Sequence, residues 1–368
     1  MSLWLFLTNC LFCGAAALFL IPLLRRPNML IYYKGIPVFA GLTAVLLKLL
    51  VPCEFSFTQT LASRNIMPAI RRIWIRDLFN DATIGDILLS VWLLVAVLLF
   101  MIPAIKYWKL MKILSVVPET KNEEILKLLS GLCVRKQIRK APKVIQLDLQ
   151  TGPFLAGLRK PVIVLPHCQM SGDEVEFILG HELEHLANRH MLIKICTEIV
   201  TAVYWWNPVV WLLRREALRA MEMQADINVM KELPNKVKLS YVEALVAITK
   251  KTQHKQRRCA PSFALHFSML KYRLHTALKF DCFKKNREVK AVQVLPLALS
   301  AIIVLASFLF TFASYSIGPQ DEDAFTINPR SDYLVAREDG LYDLYVEGKF
   351  YVTLKKIPKD FSEMPVHK

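Results

Sequence analysis

The segment ILGHELEHLANRH, residues 178–190, places three histidines and two glutamates in an otherwise apolar chain. On an α-helix His181 and His185 lie one turn apart, so both imidazoles point the same way and can bind one cation. Glu182 is about 100° round the helix, near enough to take a proton from a water at that cation. The spacing therefore predicts a zinc site with His181 and His185 as ligands and Glu182 as the general base.

The alternative is an ordinary helix whose histidines lie in the core or on the surface, so the third ligand matters. Glu222 lies on the next polar helix, and Asp226 follows one turn later on the same face. We expect Glu222 to be the third ligand and Asp226 to hold a ligand imidazole from behind. Glu216 is the fallback ligand, and a solvated helix face is the alternative for all three acids.

His190 is the rival third ligand, but its position on the helix argues against it. It follows His185 by five residues, about 140° round the axis, and no glycine lies between them to break the helix. We therefore expect His190 to point elsewhere, and we expect Glu184 to be a surface acid.

The composition indicates a membrane protein. Hydrophobic residues make up 54% of the 368-residue chain, and its mean hydropathy is +0.34. A helix needs about 20 apolar residues to cross the bilayer core. Four stretches approach that length: residues 3–24, 36–52, 87–105 and 292–313.

The distribution of charge predicts the orientation of these spans. The net charge of +16 is concentrated after the first span and in residues 106–290, whereas the tail after residue 313 is net acidic. Basic segments remain in the cytoplasm. We therefore expect residues 106–290 in the cytosol, with the N-terminus, the 53–86 loop and the C-terminal tail outside. No helix-turn-helix or zinc-finger spacing supports direct nucleic-acid binding.

Local patterns complete a prediction of a multi-pass α-helical membrane protein with a cytosolic α+β zinc peptidase domain and a small β-rich extracellular tail. Residues 142–166 are rich in Val and Ile and predict two or three short strands. Ser171 and Glu174 form a capping-box pattern that starts the histidine helix. Alternation around Gly348 predicts a β-hairpin. The expected domains are 1–105 with three spans, 106–290 with the peptidase, 291–314 with the fourth span, and the tail 315–368.

Four motifs occur in the order seen in the BlaR/MecR-like membrane metallopeptidases, which this sequence resembles: GPFLAGLRKPVIVLP, HELEH, WWNPVVWLL and EMQAD. The resemblance implies a gluzincin-type site, with His181, His185 and Glu222 on zinc, Glu182 as base and Asp226 behind the ligands. It also implies a strand along which an extended substrate peptide is added, formed by Val162, Ile163, Val164 and Leu165.

Three features depart from that family's pattern. The tail is shorter than the family's penicillin-binding domain and has no Ser-x-x-Lys, so β-lactam sensing by acylation is not expected. Ala225 stands where the family usually has cysteine, a form that also occurs in the HtpX-like quality-control proteases. LKYRL, residues 270–274, lies where family members cut themselves, although basic residues flanking a membrane helix explain it equally well.

The resulting prediction is a membrane zinc endopeptidase in regulated signalling, which cleaves a transcriptional repressor or itself. The alternatives are an HtpX-like quality-control protease and a non-catalytic sensor or scaffold. The expected partners are the lipid bilayer, a protein substrate such as a winged-helix repressor, and a second copy of the chain in a homodimer.

Overall fold

The computed structural model describes residues 3–32, 35–53, 55–63, 66–79, 82–147, 152–253, 273–275, 277–278, 291–314, 332–336, 341–346, 348–354 and 365–367. Contacts divide the chain into two compact units, Met1–Ser314 and Tyr315–Lys368. The described helices are α1 (Leu3–Leu24), α2 (Pro27–Tyr32), α3 (Ile36–Leu50), α4 (Ile66–Trp74), α5 (Ile84–Val116), α6 (Glu123–Arg135), α7 (Gly172–Ala187), α8 (His190–Val203), α9 (Pro208–Glu232), α10 (Lys238–Gln253) and α11 (Ala291–Leu309). The first unit's described strands are β1 (Gln59–Ser63), β2 (Asp77–Phe79), β3 (Ala82–Thr83), β4 (Lys143–Leu147), β5 (Phe154–Ala156), β6 (Val162–Pro166) and β7 (Phe310–Ser314).

Two of the described helices are long and apolar enough to cross a membrane, judged by length and composition: Trp4–Leu24 within α1, and α5. The α1 window is 56% buried inside the protein, whereas only 6% of the α5 window is buried. α5 therefore exposes many Leu, Ile and Val side chains that no described part of the chain covers. Such a surface is typical of a helix that lies against lipid.

The other predicted spans differ from the helices observed. α3 has 15 residues, and α11 ends at Leu309, so the predicted span 292–313 runs past its helix. Phe310–Ser314 instead form β7, which pairs in parallel with β1. Alternating Phe and Thr side chains favour an extended chain there. The predicted domain boundary at residue 105 falls inside α5, which continues to Val116.

A three-stranded sheet precedes the histidine helix, as the sequence predicts for residues 142–166. Its order is β4-β6-β5, with β6 parallel to β4 and antiparallel to β5. β6 is therefore the central strand, and all five of its residues are buried. The prediction that Val162, Ile163, Val164 and Leu165 form the edge strand for a substrate is wrong, because both hydrogen-bonding edges of β6 are occupied. β5 is the edge strand that contacts α7.

The helices that carry the candidate site begin with well-formed caps. The Ser171 side chain accepts from the Glu174 backbone, and the Glu174 side chain accepts from the Ser171 backbone, which confirms the capping box. Asn207 caps α9 by accepting from Val209 N–H at 2.9 Å, with Pro208 at the first helical position. α7 packs across α9, and α9 also packs on α1.

Glu184 is a structural acid between the helices, which corrects its prediction as a surface residue. It is 6% exposed, and its carboxylate pairs with Lys136. Its Oε2 accepts from Asn228 at 2.7 Å and from Asn188 at 2.9 Å. Lys136 also reaches Glu232 at 2.9 Å. The cluster thus joins α7 to α9 and to the end of α6.

The tail unit forms a four-stranded sheet in the order β10-β9-β8-β11. Its strands are β8 (Tyr333–Ala336), β9 (Tyr342–Val346), β10 (Lys349–Leu354) and β11 (Val366–His367). β9 and β10 pair antiparallel around Gly348, whose φ of 78° favours glycine, so the predicted hairpin is confirmed. Leu334 and Leu344 are its buried hydrophobic side chains among the residues described.

The buried Glu184 cluster predicts a large difference between two otherwise similar substitutions. Glu184→Ala leaves Lys136 buried without one carboxylate, and we expect it to lower the free energy of unfolding by about 3 kcal/mol. Glu123→Ala removes a pair whose side chains are 85% and 80% exposed, and should cost less than about 1 kcal/mol. Thermal unfolding of both full-length variants measures the difference. Equal unfolding temperatures would show that the cluster contributes no stability.

Candidate metal centre

Three side chains from α7 and α9 converge on one point. His181 and His185 approach through their Nε2 atoms, which are 3.2 Å apart. Glu222 reaches both rings, with Oε2 3.5 Å from His181 Nε2 and Oε1 3.5 Å from His185 Nε2. The prediction that these residues lie together agrees with this geometry, since they form a group of potential metal-binding atoms within 4.8 Å of one another.

The donor set fits zinc. Zn²⁺ takes imidazole nitrogen and carboxylate oxygen at about 2.0–2.1 Å in tetrahedral geometry, which places neighbouring ligand atoms about 3.4 Å apart. The three distances observed, 3.2, 3.5 and 3.5 Å, bracket that separation. A two-histidine, one-carboxylate set with one position left open is typical of catalytic zinc sites.

Asp226 fixes the ring of His181 from behind, as its position one turn after Glu222 predicts. Its Oδ1 lies 3.0 Å from His181 Nδ1, on the side of the ring away from Glu222. Tyr241 of α10 donates its hydroxyl to the same oxygen at 2.6 Å. Burial and the Asp226 charge raise the pKa of Tyr241, so the phenol remains a donor. With its Nδ1 proton held by Asp226, His181 would offer Nε2 to a metal, which takes the place of the second ring proton.

His190 lies beside His185, which corrects the expectation that it points elsewhere. α7 ends at Ala187, Asn188 donates to the Glu184 carbonyl at 2.8 Å, and Arg189 adopts a φ of 53°. This turn reverses the chain without a glycine, because the Asn188 amide satisfies a carbonyl at the helix end. His190 therefore starts α8 with its Nδ1 2.8 Å from His185 Nδ1.

His190 also fixes the tautomer of His185. Gln224 Oε1 lies 3.0 Å from His190 Nε2 and, as an amide oxygen, can only accept. His190 Nε2 therefore carries its proton, and His190 Nδ1 accepts from the Nδ1–H of His185. The lone pair of His185 Nε2 consequently faces Glu222, so His190 is a positioning residue rather than a ligand.

Charges are unevenly distributed over the cluster. Burial alone lowers the pKa of His181, but Asp226 and Glu222 outweigh burial and raise it to about 9. Burial lowers the pKa of His185 to about 3, so this ring is neutral and free to bind a metal. Burial alone raises the pKa of Glu222, yet the two histidines bring it well below its usual range. Glu222 is therefore an anion at neutral pH.

Glu182 lies beside the cluster in a nearly dry setting. It is 5% exposed, and the backbone N–H of Leu155 in β5 donates to its carboxylate. Burial raises the pKa of Glu182, Glu222 adds to that increase, and His181 opposes it. A carboxylate with a raised pKa accepts and returns protons more effectively near neutral pH. A cavity of about 370 Å³ next to His185 is lined by Gly157, Leu158, His185, Leu186, Arg189, Met191 and Leu192.

The remaining residues considered near the site are one acid and several aromatic or basic side chains. Glu216, the fallback ligand, is 2% exposed, and its carboxylate accepts from Arg25, Arg215 and Arg219 instead. Tyr241, His266 and Tyr272 are residue types that could stabilise an oxyanion, although no spacing in the sequence supports any of them; Tyr241 bonds to Asp226, and the other two lie outside the described residues. Arg273, within LKYRL, also contacts the site, and no spacing rule predicts that contact. Asn188 could have indicated that α7 ends before His190, because asparagine often follows the last residue of a helix.

The hydrogen bond between His190 and His185 predicts a specific loss of metal affinity. His190→Ala frees the His185 ring, and we expect zinc affinity to fall about 10- to 100-fold, as is usual when an outer partner of a ligand is removed. His167→Ala, at an exposed histidine, is the matched control and should bind zinc like the wild type. Competition with a chromophoric chelator measures both. Equal affinities would show that His190 does not position His185.

Comparison with known proteins shows which family this sequence resembles. The BlaR1 peptidase M56 family profile matches residues 14–277. The regulatory protein BlaR1 of Bacillus licheniformis is 32% identical over 244 residues, which cover 62% of this chain and 40% of that protein. The methicillin resistance protein MecR1 of Staphylococcus aureus is 25% identical over 233 residues, 61% of this chain and 39% of that protein.

The chain thus spans about 40% of the length of these curated relatives. The profile match covers both histidines, Glu182, Glu222 and Asp226, as well as the sheet that packs on α7. It also includes the second half of α1 and every described helix from α2 to α10, so the similarity is not confined to HELEH. The chain belongs to the M56 peptidase family.

Proposed function

We propose that this protein is a membrane-embedded zinc endopeptidase of the gluzincin type that acts in regulated intracellular proteolysis. The observation that carries the proposal is the convergence of His181, His185 and Glu222 with Glu182 beside them. Family membership supports a metallopeptidase, and the two long apolar helices fit a membrane protein with a soluble domain.

In this proposal different side chains bind the metal and transfer the proton. Zinc held by His181, His185 and Glu222 would supply a Lewis acid for a peptide carbonyl and for water. Glu182 takes the proton from the attacking water and returns it to the leaving amine. The Leu155 N–H holds the Glu182 carboxylate in place while it is charged. The surrounding burial raises the pKa of Glu182, which favours the uptake of that proton.

The peptide substrate is proposed to lie along β5 rather than β6. β5 is an edge of the described sheet, and its residue Leu155 bonds directly to the general base. An extended peptide added to that edge would pass the metal ligands. The cavity beyond Gly157 opens beside His185 and is mostly apolar, which suits an apolar substrate side chain.

The membrane arrangement is the one that charge and hydropathy favour. We propose four spans, with the peptidase domain in the bacterial cytosol and the tail outside. The relatives BlaR1 and MecR1 are named as a regulatory protein and a methicillin resistance protein, which favours a regulatory role here. A transcriptional repressor, such as a winged-helix dimer, or the chain itself is then the proposed substrate.

Two other functions make different predictions. An HtpX-like quality-control protease would cut many unrelated membrane proteins, and Ala225 is the feature that favours it. A non-catalytic sensor would need the ligands but not a base, and the buried, backbone-bonded Glu182 argues against it.

The test compares new protein N-termini in cells that carry the wild type, Glu182→Gln or Glu176→Gln. Glu176 lies on the same helix and pairs with the half-exposed Arg135, so its variant is a matched control. We expect one or two cuts, in a DNA-binding protein or in this chain, to disappear only with Glu182→Gln. Loss of many cuts in membrane proteins would favour quality control. Identical N-termini in all three strains would contradict the endopeptidase proposal.

A further inference from the structure

Arg273 enters the metal centre from a distant part of the chain, between α10 and α11. Its Nε donates to Asp226 Oδ2 at 2.7 Å, and its Nη2 donates to Asp226 Oδ1 at 2.7 Å. Two parallel N–H bonds to one carboxylate form the bidentate geometry for which guanidinium is suited. Asp226 is 1% exposed, and the Arg273 side chain is 19% exposed, so water screens this pair weakly.

The same guanidinium approaches the ligands themselves. Nη1 lies 3.6 Å from Glu222 Oε2, and Nη2 lies 3.3 Å from His181 Nδ1. Among the described residues, Arg273 is the one Lys or Arg side chain within ion-pair distance of either Asp226 or Glu222. Asp226, an anion that is 1% exposed, needs a fixed positive charge, because it would otherwise lose its hydration without compensation; the Glu222 side chain is 29% exposed and keeps part of its hydration.

We propose that Arg273 is a positioning residue of the metal centre, which locks Asp226 and, through it, the ring of His181 for zinc binding. The two bonds from Arg273 stop the Asp226 carboxylate from rotating. Tyr241 of α10 also donates its hydroxyl to Asp226 Oδ1, at 2.6 Å. Retention of zinc therefore depends on the segment between α10 and α11 as well as on α7 and α9. This inference rests on the zinc site proposed above.

Two other roles for Arg273 predict different effects of its removal. If the guanidinium competes with zinc for Glu222, its removal should strengthen zinc binding, since a cation would leave the ligand. If it merely stabilises the fold, its removal should change the unfolding temperature without a selective effect on metal affinity. A positioning role instead requires that its effect disappear when Asp226 is already altered.

The experiment is a double-substitution cycle on the full-length protein in detergent, with Arg273→Gln, Asp226→Asn and the combined variant. Zinc affinity is measured by competition with a chelator, and the visible spectrum of the cobalt-substituted protein reports ligand geometry. We expect each single variant to lose about 10- to 100-fold in zinc affinity, and the combined variant to bind no more weakly than Asp226→Asn. The cobalt spectra of Arg273→Gln and Asp226→Asn should change alike.

Controls keep the outcomes separate. Arg214→Gln removes an arginine that pairs with Glu198 at 2.6 Å away from the site, and should bind zinc like the wild type. Arg273→Lys keeps the charge but cannot form two parallel bonds, so it should lose most of the affinity that Arg273→Gln loses. It also carries the test if Arg273→Gln does not fold.

Wild-type affinity in the lysine variant, additive losses in the cycle, or tighter zinc binding without Arg273 would each overturn the inference. A wild-type protein that binds no zinc would instead overturn the zinc site itself. Activity assays are not needed for either conclusion.

Discussion

The site depends on how buried imidazoles and carboxylates compensate one another. Asp226 is an anion in a nearly dry environment and Glu222 is a partly buried anion, and their charge is balanced by His181 and by Arg273. Removing one partner would leave a buried charge without compensation, which costs far more than an exposed ion pair contributes. The pKa of His181, raised to about 9, reflects this balance in the metal-free protein. A divalent cation held by two neutral imidazoles would satisfy the same carboxylates.

Contacts between α7 and α9 fix the relative position of the two helices that carry the site. Gly180 of α7 faces Val229 of α9, and a Cβ added at Gly180 would lie 3.9 Å from Val229, an ordinary van der Waals contact. Glu184 then joins α7 to Asn228 of α9 and to Lys136 after α6. Both contacts lie within about one helical turn of the ligands, so small shifts between the helices would separate Glu222 from the histidines.

The sequence predicted which side chains lie together more successfully than it predicted their surroundings. The proximity of His181 and His185 follows from helical spacing and the start of α7 from the Ser171 cap, because these are local patterns, whereas Glu222 was chosen because Asp226 follows it one turn later on the next polar helix. The role of His190 was missed because helix continuation was assumed through Asn188, whereas its side chain ends the helix.

Long-range relations account for the other errors. Four consecutive apolar residues in β6 are compatible with a central or an edge strand, and only the pairing with β4 and β5 decides. Arg273 is 47 residues from Asp226 in the chain, and no spacing rule connects them. Glu184 looked solvent-exposed because its partners come from α6 and α9.

X-ray absorption at the zinc edge of the purified full-length protein tests the central claim most directly. The account predicts one zinc per chain with two imidazoles and oxygen ligands at about 2.0–2.2 Å. Three imidazoles would make His190 a ligand, and a sulfur shell near about 2.3 Å would move the metal to cysteines. Either result, or the absence of bound zinc, would contradict a centre formed by His181, His185 and Glu222.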